Sequence, residues 1–478
     1  MTRQGGSGPV WFKGKKMMKE IAVLAIMTGL MALCHSCGDS DGPPDPVIEP
    51  VVGKAVIDPA VRYQEMIGFG GSLTWYSERV TASPQKAQLC QLLFEDLGTD
   101  IIRFKNNYYP LGYPAVKSPA TMENGSIKTL YTVTGDLYSI AKQLNPEIQI
   151  LVSSWTPPSA LKSNNKLQEG TLKKDNGAFM YDAFGEYWND VLDNLQFNPD
   201  YISIQNEPGW ITPDWETCEW RPTETADFPG YNAAFDAVYN KISTRTNPPK
   251  MIGPEAENIG YSGKLGGNTF AVFSDPIKNK ASLAAYAYHT YNFPSSALIA
   301  QTKSDLNMIR DNYGNKPCIM TEYSNFTWLN TAWFIIQNLN EANAAGYIYW
   351  LMAWADTNSD SMIKLSSSGA YTLTPFYYVM KHFSKEIDKG HVRINVLSPF
   401  IPMSGFIDPS GKKITVVAVN PNDEEALYDF EVTGRTVKSM RAAQTDAVNN
   451  YKEIQPFTSD QYFVLKPRSV TTVVLELL

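Results

Sequence analysis

The chain has 478 residues and a formal net charge of −8, from 41 Lys and Arg against 49 Asp and Glu. That balance excludes a nucleic-acid binder built on a basic surface and disfavours a polyanionic ligand. The length suits one large barrel with a smaller companion domain. Aromatic residues are plentiful, with 11 Trp, 26 Tyr and 21 Phe.

At the N-terminus, Lys13, Lys15, Lys16 and Lys19 precede an apolar run from Ile21 to Leu33. That run is too short to span a bilayer comfortably and reads as the core of a signal peptide. Small Ser36 stands just before Cys37, so residues 1–37 are expected to be a lipoprotein-type signal with Cys37 as the lipidated residue. Residues 38–52, rich in Asp, Gly and Pro, read as a tether. The expectation is an exported, outer-membrane lipoprotein that touches the membrane only through its anchor.

Apolar runs then alternate with amphipathic stretches. Strand candidates fall at 66–71, 100–105, 147–155, 199–206, 250–255, 284–291, 316–322 and 346–353. Helical patterns lie between and after them, at Gln85–Leu97, Tyr181–Leu195, Asn232–Ile242, Thr331–Ala344 and Phe376–Ile387. Eight strands alternating with helices predict an α/β fold, a (β/α)8 TIM barrel over 66–389. Beyond 390 the helical pattern stops. Lys413–Val419 and Thr471–Leu477 read as strands, so 390–478 is expected to be a side β-sandwich domain, with strands from 53–65 (Lys54–Asp58 and Tyr63–Met66) joining it.

Glu207 and Glu322 each stand at the exit of a predicted strand. Ile202 and Ile204 lead to Asn206-Glu207-Pro208, and Cys318, Ile319 and Met320 deliver Thr321-Glu322-Tyr323. They are assigned to the fourth and seventh strands, whose carboxyl ends form the functional face of such a barrel. Two carboxylates there are what a glycosidase needs, one to protonate the leaving oxygen and one to attack the anomeric carbon. Sugars present apolar C–H faces beside their hydroxyls, which suits flat amphipathic rings. Cys90, Cys218 and Cys318 are widely spaced and only four histidines are present, so no metal site, disulfide framework or cofactor is expected. Nothing in the sequence asks for more than a monomer.

These residues resemble glycoside hydrolase family 30, in the clan of retaining glycosidases that share this barrel. The likeness rests on GFGGSLTW (68–75), SSWTPPSALK (153–162), ISIQNEP (202–208), YHTY (288–291), MTEYS (320–324) and YIYWLMAW (347–354). It continues through FYYVMKHFSKEIDKGHVRI (376–394) and SVTTVVLEL (469–477). The resemblance implies Glu207 as general acid/base, Glu322 as nucleophile, Arg103 and Tyr291 as groups that hold the nucleophile ionised, and Asn206 as the contact to the sugar 2-hydroxyl. It implies Trp155 and Trp350 as the floor of the catalytic subsite, with Trp75 and Trp354 as further cleft rings and His289 as an orienting group. The loop tryptophans Trp210, Trp215 and Trp220 either extend the cleft or pack the loop.

The xylan-cleaving branch is the nearest part of that family. Its best-known members read a glucuronate side group with paired arginines after the eighth strand, where this chain has Ala353 and Trp354. The expected partner is therefore a xylan-type β-glycan polysaccharide, cleaved as by an endo-β-1,4-xylanase without strict glucuronate dependence. The alternatives are a β-1,6-glucanase, a β-glucosidase or an exo-xylosidase. A non-catalytic glycan-binding lipoprotein is the rival from another class, and it has no reason to keep Glu207, Glu322, Asn206 and Arg103 together.

Overall fold

The computed structural model describes residues 51–123, 125–260, 268–456 and 462–478. The expected signal segment, the tether up to residue 50 and Cys37 lie outside the described residues. Val51 and Val52, expected at the end of the tether, already belong to a strand, Val51–Glu65.

Eight parallel strands close a barrel in chain order: β1 (Gly68–Ser72), β2 (Ile101–Lys105), β3 (Gln149–Ser153), β4 (Tyr201–Ser203), β5 (Lys250–Ala256), β6 (Leu283–His289), β7 (Cys318–Glu322) and β8 (Ala344–Tyr349). Each falls on one of the expected apolar runs, because strands buried on both faces must be apolar almost throughout. Side chains alternate between the two faces. Ile101, Leu151, Ile252, Ile319 and Ile348 form a layer of one small core, whereas Ile102, Phe104, Val152 and Met320 join the larger core that includes the helices. On β2 the same period puts Arg103 and Lys105 on the Ile101 side, above that layer. Gly70 on β1 faces the Ile101 carbonyl so closely that a Cβ would lie 1.7 Å from its oxygen.

The helices differ from expectation mainly at their ends. Thr327 caps Trp328–Glu341 by accepting from the Asn330 N–H, so this helix starts and stops earlier than Thr331–Ala344, and Ala344 instead opens β8. Pro375 at the first turn and the Thr374 cap start the last helix, which ends at Ser384 rather than Ile387. Lys86–Gln91 continues as a π-helical turn, Leu92–Asp96. A long helix, Gly125–Leu144, has no counterpart among the helical patterns read from the sequence.

Of the remaining strands, nine form one sheet rather than two separate ladders, and five short ones pair in a three-stranded and a two-stranded sheet. Val51–Glu65 is a single strand, kinked by register irregularities between Asp58 and Arg62 and between Arg62 and Glu65, where two strands were expected. It pairs antiparallel with Val392–Leu397 and parallel with Ala426–Val432. The sheet rolls back on itself: Gln444, near one end of the ladder, donates to the Val464 carbonyl at the other end, 3.0 Å away. Between these ends lies a core that includes Tyr428, Phe430, Phe463 and Leu475. The sheet is tied to the barrel through His382, fully buried, whose two ring nitrogens each lie 2.9 Å from a threonine hydroxyl, Thr472 and Thr445. Burial pushes the pKa of that imidazole down to about 3, so it holds this joint as a neutral group.

Candidate active site

The expected residues of the site converge at the carboxyl end of the barrel. Beyond β4 the chain is held by backbone bonds to both neighbouring strands: the Asn206 N–H donates to the Ser154 carbonyl and the Glu207 N–H to the Glu255 carbonyl. Glu207 adopts a left-handed conformation, φ +47°, directly before Pro208. A non-glycine residue held there stores strain of about 1–3 kcal/mol, which the surrounding bonds must sustain. In the pairing of β7 with β6, a register irregularity between Met320 and Glu322 sets Glu322 opposite His289.

The two carboxylates and His289 each present an atom within 4.8 Å of the others. His289 Nδ1 is hydrogen-bonded to Glu207 Oε1 at 2.9 Å, and its Nε2 lies 3.9 Å from Glu322 Oε2. Burial, reinforced by Arg103, pushes the His289 pKa well down, so the ring is neutral. This trio contains metal-type ligand atoms, and the Arg103 guanidinium pairs with Glu322 from 2.6 Å.

Arg103 is the hub of the site. Fully buried, it donates through Nη1 to Glu322 Oε2 and through Nη2 to Asn206 Oδ1, both at 2.6 Å, and through Nε to the Ser153 hydroxyl at 3.0 Å. Tyr291 donates its hydroxyl to Glu322 Oε1 at 2.9 Å. Burial pushes the Glu322 pKa up to about 7, against the opposing pull of Arg103 and the Tyr291 hydroxyl. Glu207 is raised well above the ordinary range, by burial first and then by the negative fields of Glu322, Glu257 and Glu255. The environments therefore separate the pair, with Glu207 holding the proton and Glu322 the charge.

A tryptophan cluster surrounds this pair. The Trp75 ring packs edge-on against Trp155, Trp350 and Trp354, with centroids 5.2, 5.4 and 6.0 Å away. Arg103 lies over the Trp155 ring at 4.8 Å and the Trp350 ring at 5.8 Å. Trp220 is not a cleft residue. It is fully buried, packs on Phe184, and donates its indole N–H to Gln205 Oε1 at 3.1 Å, bracing the strand that carries Glu207. Trp210, by contrast, is 37% exposed.

Sequence reasoning passed over several charged neighbours. Lys105 lies 4.5 Å from the Trp75 ring centroid and pairs with Glu216 of the loop after β4 at 2.8 Å. Burial pushes Glu216 up, but the Lys105 charge and hydrogen bond bring its pKa below the ordinary value. Glu255, at the end of β5, lies 3.0 Å from Arg103 Nε. Lys105 was legible, since it follows Arg103 at the strand period of two. Glu255 carried the same signal as Glu207 and Glu322, a glutamate at the exit of a predicted strand.

No family model matches the chain. It is 24% identical over 356 residues to the glucuronoxylanase XynC of Bacillus subtilis, covering 68% of this chain and 74% of that protein. It is 23% identical over 416 residues to an endo-1,6-β-D-glucanase of Neurospora crassa, covering 79% and 81%. The catalytic domain of a GH30 xylanase C from Talaromyces cellulolyticus superposes with a TM-score of 0.69 at 19% identity, covering 88% of this chain and 99% of that one. In sequence and in fold, the chain resembles glycoside hydrolase family 30, near its xylanase branch.

Proposed function

We propose that the protein is a retaining glycoside hydrolase that cleaves a β-linked glycan by double displacement. The observation that carries this is the separation of the two glutamates, whose carboxylate oxygens come within 4.8 Å. Retention needs carboxyl groups about 5–5.5 Å apart, whereas inversion needs roughly 6.5–9.5 Å to admit a water. Glu322, charged and engaged by Arg103 and Tyr291, attacks the anomeric carbon. Glu207, protonated, gives its proton to the leaving oxygen and then takes one from water. Asn206, whose Oδ1 is held by Arg103, keeps its amide NH2 to donate to the sugar 2-hydroxyl, and the partly exposed Trp75 and Trp354 offer rings to the sugar faces.

The substrate in this reading is xylan-type β-1,4-glycan without a requirement for glucuronate. Trp354 stands where a carboxylate clamp would need a guanidinium, and an indole offers no bidentate donor. Export and a lipid anchor at Cys37 belong to the same proposal, since a polymer must be met outside the cytoplasm. The similarity to an endo-1,6-β-D-glucanase supports β-1,6-glucan as the second reading.

The test is incubation of the protein with linear xylan, glucuronate-substituted xylan and β-1,6-glucan, beside a Glu207→Ala control, with products resolved by size and branching. Equal release from both xylans, lost in the control, is the expected result. Release from β-1,6-glucan alone overturns the substrate while keeping the chemistry.

A further inference from the structure

Glu255 is fully buried at the exit of β5. Its charge is compensated by Arg103, with Oε1 lying 3.0 Å from Nε. The residue holds a left-handed conformation, φ +53°, beside a register irregularity between Pro254 and Ala256. Its carbonyl accepts the backbone N–H of Glu207 at 3.0 Å. A strained backbone and a fully buried carboxylate are both unfavourable, and a barrel strand needs neither for its own stability. Such features accumulate where they set the charge of a neighbour.

We infer that Glu255 is a positioning residue for the nucleophile, a third carboxylate that shares the Arg103 guanidinium with Glu322 and so sets how firmly Glu322 is held in its charged form. Arg103 stands between the two, 2.6 Å from Glu322 and 3.0 Å from Glu255. A single positive charge divided between two carboxylates stabilises each less than it would one alone. The charged and titratable groups facing this arrangement are Arg103 from β2, Glu207 beyond β4, Glu257 beyond β5, His289 and Tyr291 at the end of β6, and Tyr231 from helix Tyr231–Ile242. None of the others is a second cation, so removing the Glu255 charge gives Arg103 to Glu322. The inference uses the glycosidase reading for the task of Glu322, but not for the hold of Glu255 upon it.

The test is the carboxyl titration of Glu322 in the full chain, by NMR with glutamate carrying 13C at the carboxyl carbon. The Glu322 signal is identified by its loss in E322Q, and wild type is compared with E255Q. The expected result is a fall in the Glu322 midpoint on the order of one pH unit, a tenfold change in its protonation constant. The acidic limb of kcat/KM should move with it. An unmoved or raised Glu322 midpoint in folded E255Q overturns the inference, whatever happens to activity. If E255Q does not fold, E255D decides: it withdraws the charge from Arg103, so a smaller fall supports the inference and no movement overturns it. A wild type inactive on every β-glycan would sink the glycosidase reading, and the titration would still decide the role of Glu255.

Discussion

Tyr291 donates its hydroxyl to Oε1 of Glu322 at 2.9 Å, leaving Oε2 to Arg103 at 2.6 Å. Both oxygens of one carboxylate are thus occupied by donors, while Glu207 is held by a neutral imidazole. This asymmetry distinguishes the charged glutamate from the protonated one, and the predictions below follow from it.

Activity should depend on pH as a bell. Glu322 must lose its proton for activity to appear, and its raised pKa places that acidic limb above the ordinary glutamate range, near 7. Activity then falls as Glu207, raised further, loses its own proton. Tyr291→Phe removes a stabiliser of the charged form, so the acidic limb should move up by about one pH unit. A pH profile of kcat/KM for both proteins checks the sign.

Replacing each glutamate should give different rescue. Glu207→Ala loses the proton donor and should slow hydrolysis of poorly activated glycosides by about 10²- to 10⁴-fold. Azide should restore turnover of an aryl glycoside with a good leaving group, giving the β-glycosyl azide. Glu322→Ala should give the α-azide instead, because azide then attacks from the side the nucleophile has vacated. The product anomers, read by NMR, separate the two roles.

The buried pair Lys105 and Glu216 should be strongly coupled. Glu216→Gln leaves a nearly fully buried ammonium without its counter-charge, which costs about 3–5 kcal/mol. Removing both charges, as Lys105→Met with Glu216→Gln, should cost much less than the single change. Denaturant unfolding of the two single variants and the double variant measures the coupling.

Trp220 should act on stability, and Trp350 on catalysis. Trp220→Ala empties a fully buried site against Phe184 and should cost about 3–5 kcal/mol in unfolding free energy. Trp350→Ala should instead reduce kcat/KM with a smaller loss of stability. Thermal unfolding beside kinetics on the folded fraction distinguishes them.

The barrel was legible because strands of a closed parallel sheet are short apolar runs between polar turns, although the boundaries near residues 250 and 284 are weakly marked in the sequence. Helix Gly125–Leu144 was not, since Gly125, Gly135 and several threonines weaken its propensity and its stability comes from packing. In the side sheet, Ala426–Val432 alternates buried and outward residues, but a seven-residue strand in a mixed sheet gives little signal on its own. Glu207, Glu322 and Arg103 could be read from strand ends and motifs. The turn of Glu255 toward Arg103 could not, because it depends on a left-handed backbone at a non-glycine residue, which spacing does not reveal.

The stereochemistry of the first product tests the two-glutamate account most directly. Proton NMR of a β-glycan or aryl β-glycoside digest, recorded before mutarotation, shows which anomer is released. The close carboxylates predict the β-anomer first, with retention. An initial α-anomer would mean inversion, and would contradict the assignment of Glu322 as a nucleophile.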